Sequence, residues 1–411
     1  MRILVISNYY PPHERGGWGQ LTGEVVTGMA ARGHQVQVLA SRHRSGPLKG
    51  PEKNVERSLY LQSPDHFHYH PLRTLTTPFT RIRNSALVRR AVTSLQPDVI
   101  FINDMWNLSA DVALAAEGVL PDRVAYYMAG PWPTDPDPHR QYWSDPARRM
   151  WRRPLKQLAG LMVRPILPKD VRALLKFGRV LCVSDYMKHY MMQQVGIPES
   201  HLRVVRNGID LGTFHPRRNG THSGPLRLLV AGRLTPDKGI RTAIDGLDRL
   251  RKKDRSWNGA RLSIVGDGPP DYVGSMKQLV DSLQLGELVE FRGRVDRSKM
   301  PEILAEHDVF IFPSVWQEPL ARAVQEAMAC GLVVVGTPTG GTGELLRHAE
   351  NGLIFEPEDP ESLAMQIEEI TRDKVLRKRL SKAARATAER FCSFDRMLDE
   401  VEYHIHEMIG T

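Results

Sequence analysis

The 411-residue sequence has few cysteines, no long apolar run and no excess of acidic residues. Its three cysteines are Cys182, Cys330 and Cys392, which lie far apart in apolar segments or at the predicted ends of elements, so a disulfide framework and a cysteine metal cluster are excluded. No apolar stretch approaches the ~18 to 20 residues that a membrane-spanning helix needs. The first twelve residues hold one basic residue and a four-residue aliphatic run, which does not fit a signal peptide. We therefore expect a cytoplasmic protein, peripheral at most to the inner membrane face.

The charge balance is basic, because 56 Lys and Arg residues face 47 Asp and Glu residues and give a formal net charge of +9. This excess fits nucleotide phosphates, anionic lipid or nucleic acid as partners without choosing among them. No nucleic-acid-binding module and no basic stripe with interleaved aromatics is present, so we expect no nucleic acid partner. The proportions of hydrophobic residues, 41%, and charged residues, 25%, are typical of a globular protein, and the length predicts two domains.

Short apolar runs alternate with helical segments along the chain, which predicts α/β domains built on parallel sheets. A β-α-β unit opens the first domain, for which we predict residues 1–210, and a stretch rich in Pro, Arg and Gly precedes a second domain over residues 225–390. Residues 42–80 are predicted as loop with one short strand, and the next helix is predicted from Arg83 to Leu95.

The most informative segment runs from Phe312 to Glu344. It predicts a strand, a helix that opens at Glu318-Pro319, a second strand and a glycine-rich loop, because proline is favoured at the first helical position. On such a helix Glu318 and Glu326 would lie about 10 to 12 Å apart along the axis, which is roughly the span of a diphosphate. One acid could hold the hydroxyls of a sugar and the other those of a ribose; alternatively, both are exposed helix charges.

The spacing of these two acids, followed by Ala-Met-Ala-Cys-Gly, a β-run and a Gly-Gly-x-x-Glu loop, resembles the donor-binding segment of glycosyltransferase family 4, retaining enzymes of the GT-B fold. The resemblance implies two Rossmann-like, doubly wound domains that face a central cleft, with a helix over residues 393–411 that crosses back onto the first. It implies that Glu318 contacts the donor hexose and Glu326 the ribose. Leu320 and Ala321 stand where many members carry Phe and Gly; their N–H groups would face anionic groups, and the sugar pocket would differ.

Two basic residues, Arg233 and Lys238, follow the predicted strand Leu226–Ala231. Open α/β sheets bind ligands at such strand ends, where a guanidinium and an ammonium would neutralise a diphosphate leaving group. In the family a similar segment has this role, so Arg233 and Lys238 are predicted catalytic residues together with Glu318. Gly232 is predicted to border the donor, and Val295 to border the nucleotide base.

In the first domain, Gly16 and Gly17 occupy the loop that in the family approaches the donor phosphates or the acceptor. Family members often place a His at the end of the strand that we predict at residues 98–103. Here Asn103 and Asp104 stand in its place, so one of them supplies the polar contact or the role has moved or been lost. We retain Asp104 as a candidate catalytic residue. His139 either contacts the acceptor or is exposed.

Asp135-Pro136-Asp137 has the Asp-x-Asp spacing that binds a metal ion in glycosyltransferases of the GT-A fold. Prolines on both sides favour a solvated loop instead, and nothing else in the sequence indicates that fold. We therefore predict no metal and no cofactor.

Residues 140–179 contain eleven Lys or Arg residues and two acids, so this segment alone carries a net charge equal to that of the whole chain. Basic residues, Arg148, Arg149, Arg152, Arg153 and Lys156, alternate with Trp, Leu and Met. This composition suits a helix at the surface of an anionic membrane. The alternative is a helix that packs its apolar face on the first domain and leaves its basic face solvated.

The resemblance thus implies a retaining transfer of a hexosyl group from a UDP- or GDP-sugar to a hydroxyl acceptor, which would be a glycan, a lipid-linked molecule or a small molecule. One alternative is a nucleotide-sugar-binding protein without turnover, because the family's His is missing. Another is a nucleic acid binder, which only the net charge favours.

Overall fold

Two parallel sheets organise the chain, and each belongs to its own compact unit. The first unit comprises Met1–Val183, Met187–Val205 and residues from Leu398 onward, and the second comprises Ser184–Tyr186 and Arg206–Met397. The structure, a computed structural model, describes residues 1–410 except 15, 47–51, 64–70, 148, 168, 217–223, 255, 256 and 258. Part of the segment between the predicted domains therefore lies outside the described residues.

The first sheet has seven strands in the order β3-β2-β1-β4-β5-β6-β7, all parallel. These strands are β1 (Arg2–Ser7), β2 (Gln35–Ser41), β3 (Val55–Leu59), β4 (Val99–Asp104), β5 (Val124–Met128), β6 (Arg179–Cys182) and β7 (Leu202–Val204). The helices are α1 (Gly17–Ala31), α2 (Arg73–Leu95), α3 (Asp111–Val119), α4 (Pro138–Ser144), α5 (Arg153–Val163) and α6 (Asp185–Tyr190). Strands β1, β4 and β5 are continuous apolar runs because helices cover both faces of a parallel sheet.

The second sheet has six parallel strands in the order β10-β9-β8-β11-β12-β13. They are β8 (Leu226–Ala231), β9 (Ala260–Val265), β10 (Val289–Gly293), β11 (Val309–Phe312), β12 (Val333–Gly336) and β13 (Leu353–Ile354). The helices are α7 (Ile240–Lys253), α8 (Pro270–Ser282), α9 (Met300–Ala305), α10 (Arg322–Ala329), α11 (Pro360–Arg372), α12 (Lys374–Phe391) and α13 (Phe394–Ile409). The core of this unit packs Ile244 and Leu247 of α7 and Ile367 of α11 against the sheet.

In each sheet, successive strands are added first on one side and then on the other. The change of side falls between β1 and β4 in the first sheet and between β8 and β11 in the second. In doubly wound sheets, ligands bind at this topological switch point, beyond the carboxyl ends of the strands. The predicted class of two doubly wound, Rossmann-like α/β domains is confirmed. The two switch points also define where a site is to be sought in each unit.

The end of α13 belongs to the first unit, where it is held by ion pairs. The guanidinium of Arg32 lies 2.7 Å from a carboxylate oxygen of Asp399 and also pairs with Glu402. Arg179 pairs with Glu407 at 2.8 Å. None of the described helices is long and apolar enough to cross a membrane.

Helix α2 begins at Arg73, ten residues before the predicted start, and contains Pro78. A proline inside a helix removes a backbone hydrogen bond, which is why the sequence favours a loop there. Tertiary contacts supply the compensation: Thr74 Oγ1 accepts a hydrogen bond from Trp143 Nε1 at 2.8 Å, and Thr77 Oγ1 lies 3.1 Å from His139 Nε2. The short strand predicted within residues 42–80 is present as β3.

Candidate active site

The loops that follow β8 and β11 meet at the switch point of the second sheet and bring two predicted catalytic residues together. Lys238 ends a short 3-10 turn after β8, and its ammonium pairs with the carboxylate of Glu318, which follows β11. Each of the two side chains is 17% exposed. The Lys238 ammonium also lies 3.8 Å from the Asp237 carboxylate. A charged pair therefore lies at the ligand-binding edge of the sheet.

The glycine-rich loop after β12 fixes the backbone that carries Glu318. Gly341 N donates to Glu318 O at 2.8 Å, and Gly340 N donates to Gln317 Oε1 at 2.8 Å. Gly340 has a φ of +57°, and a Cβ on it would lie 2.2 Å from Glu318 O. Only glycine lets the two segments approach this closely.

These contacts overturn the predicted start of the following helix. Helix α10 begins at Arg322, so Pro319 is not its first residue and Glu318 lies four residues before it. The carbonyl that would accept the first helical hydrogen bond, that of Glu318, accepts from Gly341 N instead, and Pro319 O accepts from Ser184 Oγ at 2.6 Å. The predicted axial separation of Glu318 and Glu326 assumed that one helix carries both acids, and α10 carries only Glu326.

The residues just before α10 are buried and present backbone donors. Leu320 and Ala321 are 7% and 5% exposed, and their N–H groups have no hydrogen-bond acceptor among the described residues. Such N–H groups, at the positive end of a helix dipole, favour a bound anion. They lie two and three residues after Glu318, so the acid and the donors are close in the chain.

Glu326 lies in the fifth position of α10 and is buried. Its carboxylate pairs with Arg297, which follows β10, and lies 4.0 Å from the Arg322 guanidinium. Arg297 also lies over the Phe214 ring, with its guanidinium carbon 5.0 Å from the ring centroid. The predicted ribose-binding acid is therefore held between two arginines, neither of which the sequence reasoning had assigned to the site.

The remaining predicted donor residues lie on loops at the same edge of the second sheet. Gly232 and Arg233 follow β8; Arg233 is exposed and forms no ion pair within the part of the chain that the structure describes. Val295 is half-buried two residues after β10. The parallel strands place all of these loops at one edge of the sheet.

Three threonines at this edge were missed by the sequence reasoning. The side-chain hydroxyls of Thr235, Thr339 and Thr342 are buried and have no hydrogen-bond partner among the described residues. Thr235 follows β8, and the other two lie on the glycine-rich loop. The recurrence of threonine in the motif Thr-Pro-Thr-Gly-Gly-Thr, residues 337–342, is the sequence signal that would have indicated Thr339 and Thr342. Buried hydroxyls without partners are costly, which points to a ligand that satisfies them.

Glu344 closes the glycine-rich loop and has a positioning role. Its carboxylate accepts from the N–H groups of Asp185, at 3.1 Å, and Tyr186, at 2.7 Å, and pairs with Arg206 at 2.9 Å. All of these residues belong to the second unit. Its hydrogen bonds hold the loop that supports Glu318.

The first sheet places Gly16, Asn103 and Asp104 at its own switch point. Gly16 precedes α1 with a φ of +81°, and a Cβ there would meet nothing within 4 Å. Asn103 is buried, and its Nδ2 has no partner among the described residues. Burial raises the pKa of Asp104 to about 6, with a smaller contribution from the nearby Asp135 carboxylate. Gly17, the first residue of α1, lies beside this open space.

His139 and Asp137 of the Asp-x-Asp motif make hydrogen bonds within the first unit. His139 is buried, not exposed, and contacts Thr77 of α2; burial lowers its pKa. Asp137 caps α4 by accepting from the N–H groups of His139 and Arg140, at 3.0 and 2.9 Å. Across the described ranges, no group of three or more His, Cys, Asp or Glu side chains is placed to hold a metal ion.

Solved structures with the same architecture identify the fold. A glycosyltransferase from Rickettsia africae ESF-5 superposes with a TM-score of 0.73 at 18% identity, covering 100% of this chain and 99% of that one. Anabaena HepE in complex with UDP-glucose superposes with a TM-score of 0.66 at 17% identity, covering 99% and 100%. The fold is therefore GT-B, as the sequence resemblance implied.

Family models match both halves of the sequence. The model described as Glycosyltransferase Family 4 matches residues 15–213, and the model described as Glycosyl transferases group 1 matches residues 213–387. A glycogen synthase of Mycobacterium tuberculosis (strain CDC 1551 / Oshkosh) is 27% identical over 400 residues, which cover 94% of this chain and 89% of that protein. The chain belongs to glycosyltransferase family 4, and its activity is that of a glycosyltransferase.

The raised pKa of Asp104 generates a pH prediction. An acid with a pKa of about 6 is neutral below that pH and ionised above it. If the ionised carboxylate accepts a hydrogen bond from substrate, kcat/KM falls roughly tenfold per pH unit below pH 6. Replacement of Asp104 by Asn should lower kcat/KM at pH 7.5 and remove this acidic limb. Identical pH profiles for the wild type and Asp104→Asn would contradict a role for the carboxylate.

Proposed function

We propose that the protein is a retaining hexosyltransferase that uses a nucleotide-diphosphate sugar, binds it mainly in the second unit and needs no metal ion. The Lys238–Glu318 pair at the switch point of the second sheet is the observation that carries this proposal. It combines a cation for the leaving group with an acid for the sugar, beside backbone donors at the start of α10. The acceptor is a hydroxyl group.

The charge of the departing diphosphate is offset by protein groups. Lys238 has three N–H donors, so it can keep its hydrogen bond to Glu318 and still donate to a phosphate oxygen. Arg233 is exposed without an ion pair, and the N–H groups of Leu320 and Ala321 add two neutral donors. Donors placed where negative charge develops lower the barrier to departure of the leaving group.

The sugar and the nucleotide have separate acids. Glu318 holds hexose hydroxyls. The buried Glu326, whose carboxylate pairs with Arg297, holds the ribose hydroxyls. Gly232 and Val295 border the donor. The neighbouring structure of HepE in complex with UDP-glucose supports a nucleotide hexose as the class of donor. In the first unit, Asp104 and Asn103 contact the sugar or the acceptor.

The two acids generate the test of this assignment. Glu326→Ala should weaken the binding of free nucleotide and of nucleotide sugar alike, by ~1 to 3 kcal/mol for a charged hydrogen bond. Glu318→Ala should leave the affinity for free nucleotide unchanged and lower the affinity for the sugar conjugate by a similar amount. Isothermal titration with UDP, GDP and their hexose conjugates measures both.

The control for these variants is Glu302→Ala, an acid on α9 of the same unit. Equal affinities in all three variants and the wild type would refute the donor site. Donor binding without hexosyl transfer to any acceptor would leave the alternative, a nucleotide-sugar-binding protein.

The absence of a metal requirement can be tested separately. Activity should persist in excess chelator and fall by orders of magnitude in Arg233→Ala, because the guanidinium and not a metal ion offsets the leaving charge. Turnover assays with and without EDTA decide this. Activity that EDTA abolishes and Mn²⁺ or Mg²⁺ restores would bring Asp135 and Asp137 back as candidate ligands.

We also propose that the first unit contacts an anionic membrane. Most of the exposed large apolar side chains of the described residues fall in two stretches, 72–82 and 150–174, and each is between 59% and 76% exposed. They are Leu72, Leu75, Phe79, Ile82, Met150, Trp151, Leu155, Leu158, Leu161, Met162 and Leu174. Only Gly160 of α5 is buried, so the exposure of this helix supports the membrane contact over the alternative in which its apolar face packs on the first domain.

Exposed basic side chains lie at the start of the second of these two stretches. Arg149, Arg152 and Arg153 are exposed, and the Arg152 guanidinium lies 4.6 Å from the Trp151 ring centroid. Arg148 lies outside the described residues. Apolar side chains enter the lipid interface while cations meet anionic headgroups, at ~1 kcal/mol per basic residue near the surface.

Vesicle co-sedimentation tests the membrane contact. Wild type should bind vesicles that contain phosphatidylglycerol and not vesicles of phosphatidylcholine alone, and added salt should weaken the binding. Substitution of Arg149, Arg152 and Arg153 by Ser should reduce it. Substitution of three exposed lysines of α12, Lys374, Lys378 and Lys382, removes the same charge elsewhere and should not. Equal binding in all cases, or none, would refute the surface.

A further inference from the structure

A cavity of about 570 Å³ lies in the first unit. The segments that follow β2 and β3, the first turns of α2 and the buried His139 form its walls. This volume lies in the range of small-molecule sites, ~300 to 1,000 Å³. The cavity is large enough for a phosphorylated sugar.

Positive charge dominates the walls. Arg42, Arg44 and Arg73 line the cavity, and its described lining residues include no Asp or Glu. The Arg42 guanidinium donates to Tyr60 Oη at 2.6 Å, and Arg73 donates to Gln62 O at 3.1 Å. Both acceptors are neutral. Arg42 and Arg44 form no ion pair with a carboxylate in the part of the chain that the structure describes.

Hydroxyl groups complete the lining on the side of α2. Thr76 and Thr77 are adjacent on α2 and Thr80 lies about one turn further on, and Thr77 is buried against His139. Guanidinium groups bind phosphate oxygens in a bidentate way. The three hydroxyls donate to the carbonyls of Arg73 and Thr77, and their oxygens can accept hydrogen bonds from sugar hydroxyls. The chemistry of the walls therefore fits an anionic, hydroxyl-rich ligand.

The cavity joins the edge of the sheet that holds Gly16 and Asp104. The ring centroids of Tyr9, after β1, and His43, in the cavity wall, lie 5.0 Å apart. Gln62, also in the wall, donates from its N–H to the carbonyl of Asn107 at 2.9 Å, and Asn107 lies on the loop that begins at Asp104. A ligand in the cavity thus lies beside the loops that carry the acceptor-side candidates.

We propose that this cavity binds a phosphate group of the acceptor, with Arg42, Arg44 and Arg73 as the phosphate ligands. The assignment to the acceptor rests on the proposed glycosyltransferase reaction, whereas phosphate binding does not. The phosphate belongs to a soluble phosphorylated sugar or to a lipid headgroup. The same helix, α2, also exposes Leu75, Phe79 and Ile82, which do not line the cavity. These apolar side chains suit contact with a lipid, and the cavity alone suits a soluble phosphorylated sugar.

The test compares Arg44→Glu and the double variant Arg42→Gln/Arg44→Gln with the wild type. Arg44 is exposed, so its charge reversal leaves the fold intact, which thermal melting checks. The matched control is Arg89→Gln/Arg123→Gln, two exposed arginines of the same unit. Titration with inorganic phosphate, with saturating UDP in the donor site, measures the cavity alone.

We expect at least a tenfold loss of phosphate affinity in both cavity variants, with the control and the UDP affinity unchanged. Co-sedimentation with phosphatidic acid vesicles distinguishes the source. A loss that extends to these vesicles identifies a lipid phosphate, and a loss confined to inorganic phosphate identifies a soluble one. Unchanged phosphate affinity in the cavity variants overturns the proposal. Failure of the wild type to bind any nucleotide would instead overturn the proposed function. The affinity for phosphate is measured separately from the affinity for nucleotide, so the two failures can be told apart.

Discussion

The ion pair between Lys238 and Glu318 is the interaction on which the proposed donor site depends. Its partners lie far apart in sequence and meet because β8 and β11 are neighbours at the point where the strand order reverses. The loop after β12 adds a third segment, whose glycines hold the backbone of Glu318 by direct hydrogen bonds. The geometry of the site thus follows from three adjacent parallel strands that end at the same edge.

Much of this arrangement could be predicted from the sequence, and the reasons are specific. Lys238 and Glu318 are charged residues that follow apolar runs typical of strands, so their place at the sheet edge followed from the strand pattern. Glu326 was assigned from its spacing to Glu318 and from the family resemblance. The start of α10 could not be predicted, because it depends on Gly341 N taking the carbonyl of Glu318. That contact joins segments more than twenty residues apart, so the helix propensity of the residues around Glu318 does not reveal it.

The first unit shows the same limit more strongly. Because of the proline at position 78, the sequence did not predict the first ten residues of α2. Those residues form a wall of the cavity and carry three of the exposed apolar side chains, Leu75, Phe79 and Ile82. Tertiary hydrogen bonds to Trp143 and His139 stabilise that part of the helix. The basic, apolar composition of residues 140–179 was legible, but only the structure shows that the apolar face of α5 is exposed.

A double-mutant cycle on Lys238 and Glu318 tests the central claim most directly. The quantity to measure is kcat/KM for the nucleotide-sugar donor in the wild type, Lys238→Ala, Glu318→Gln and the double variant. Residues that contact one another and act on the same ligand are not additive. We predict that the double variant is within about threefold of the more damaged single variant. Losses that multiply would show that each residue acts without the ion pair and would contradict the account.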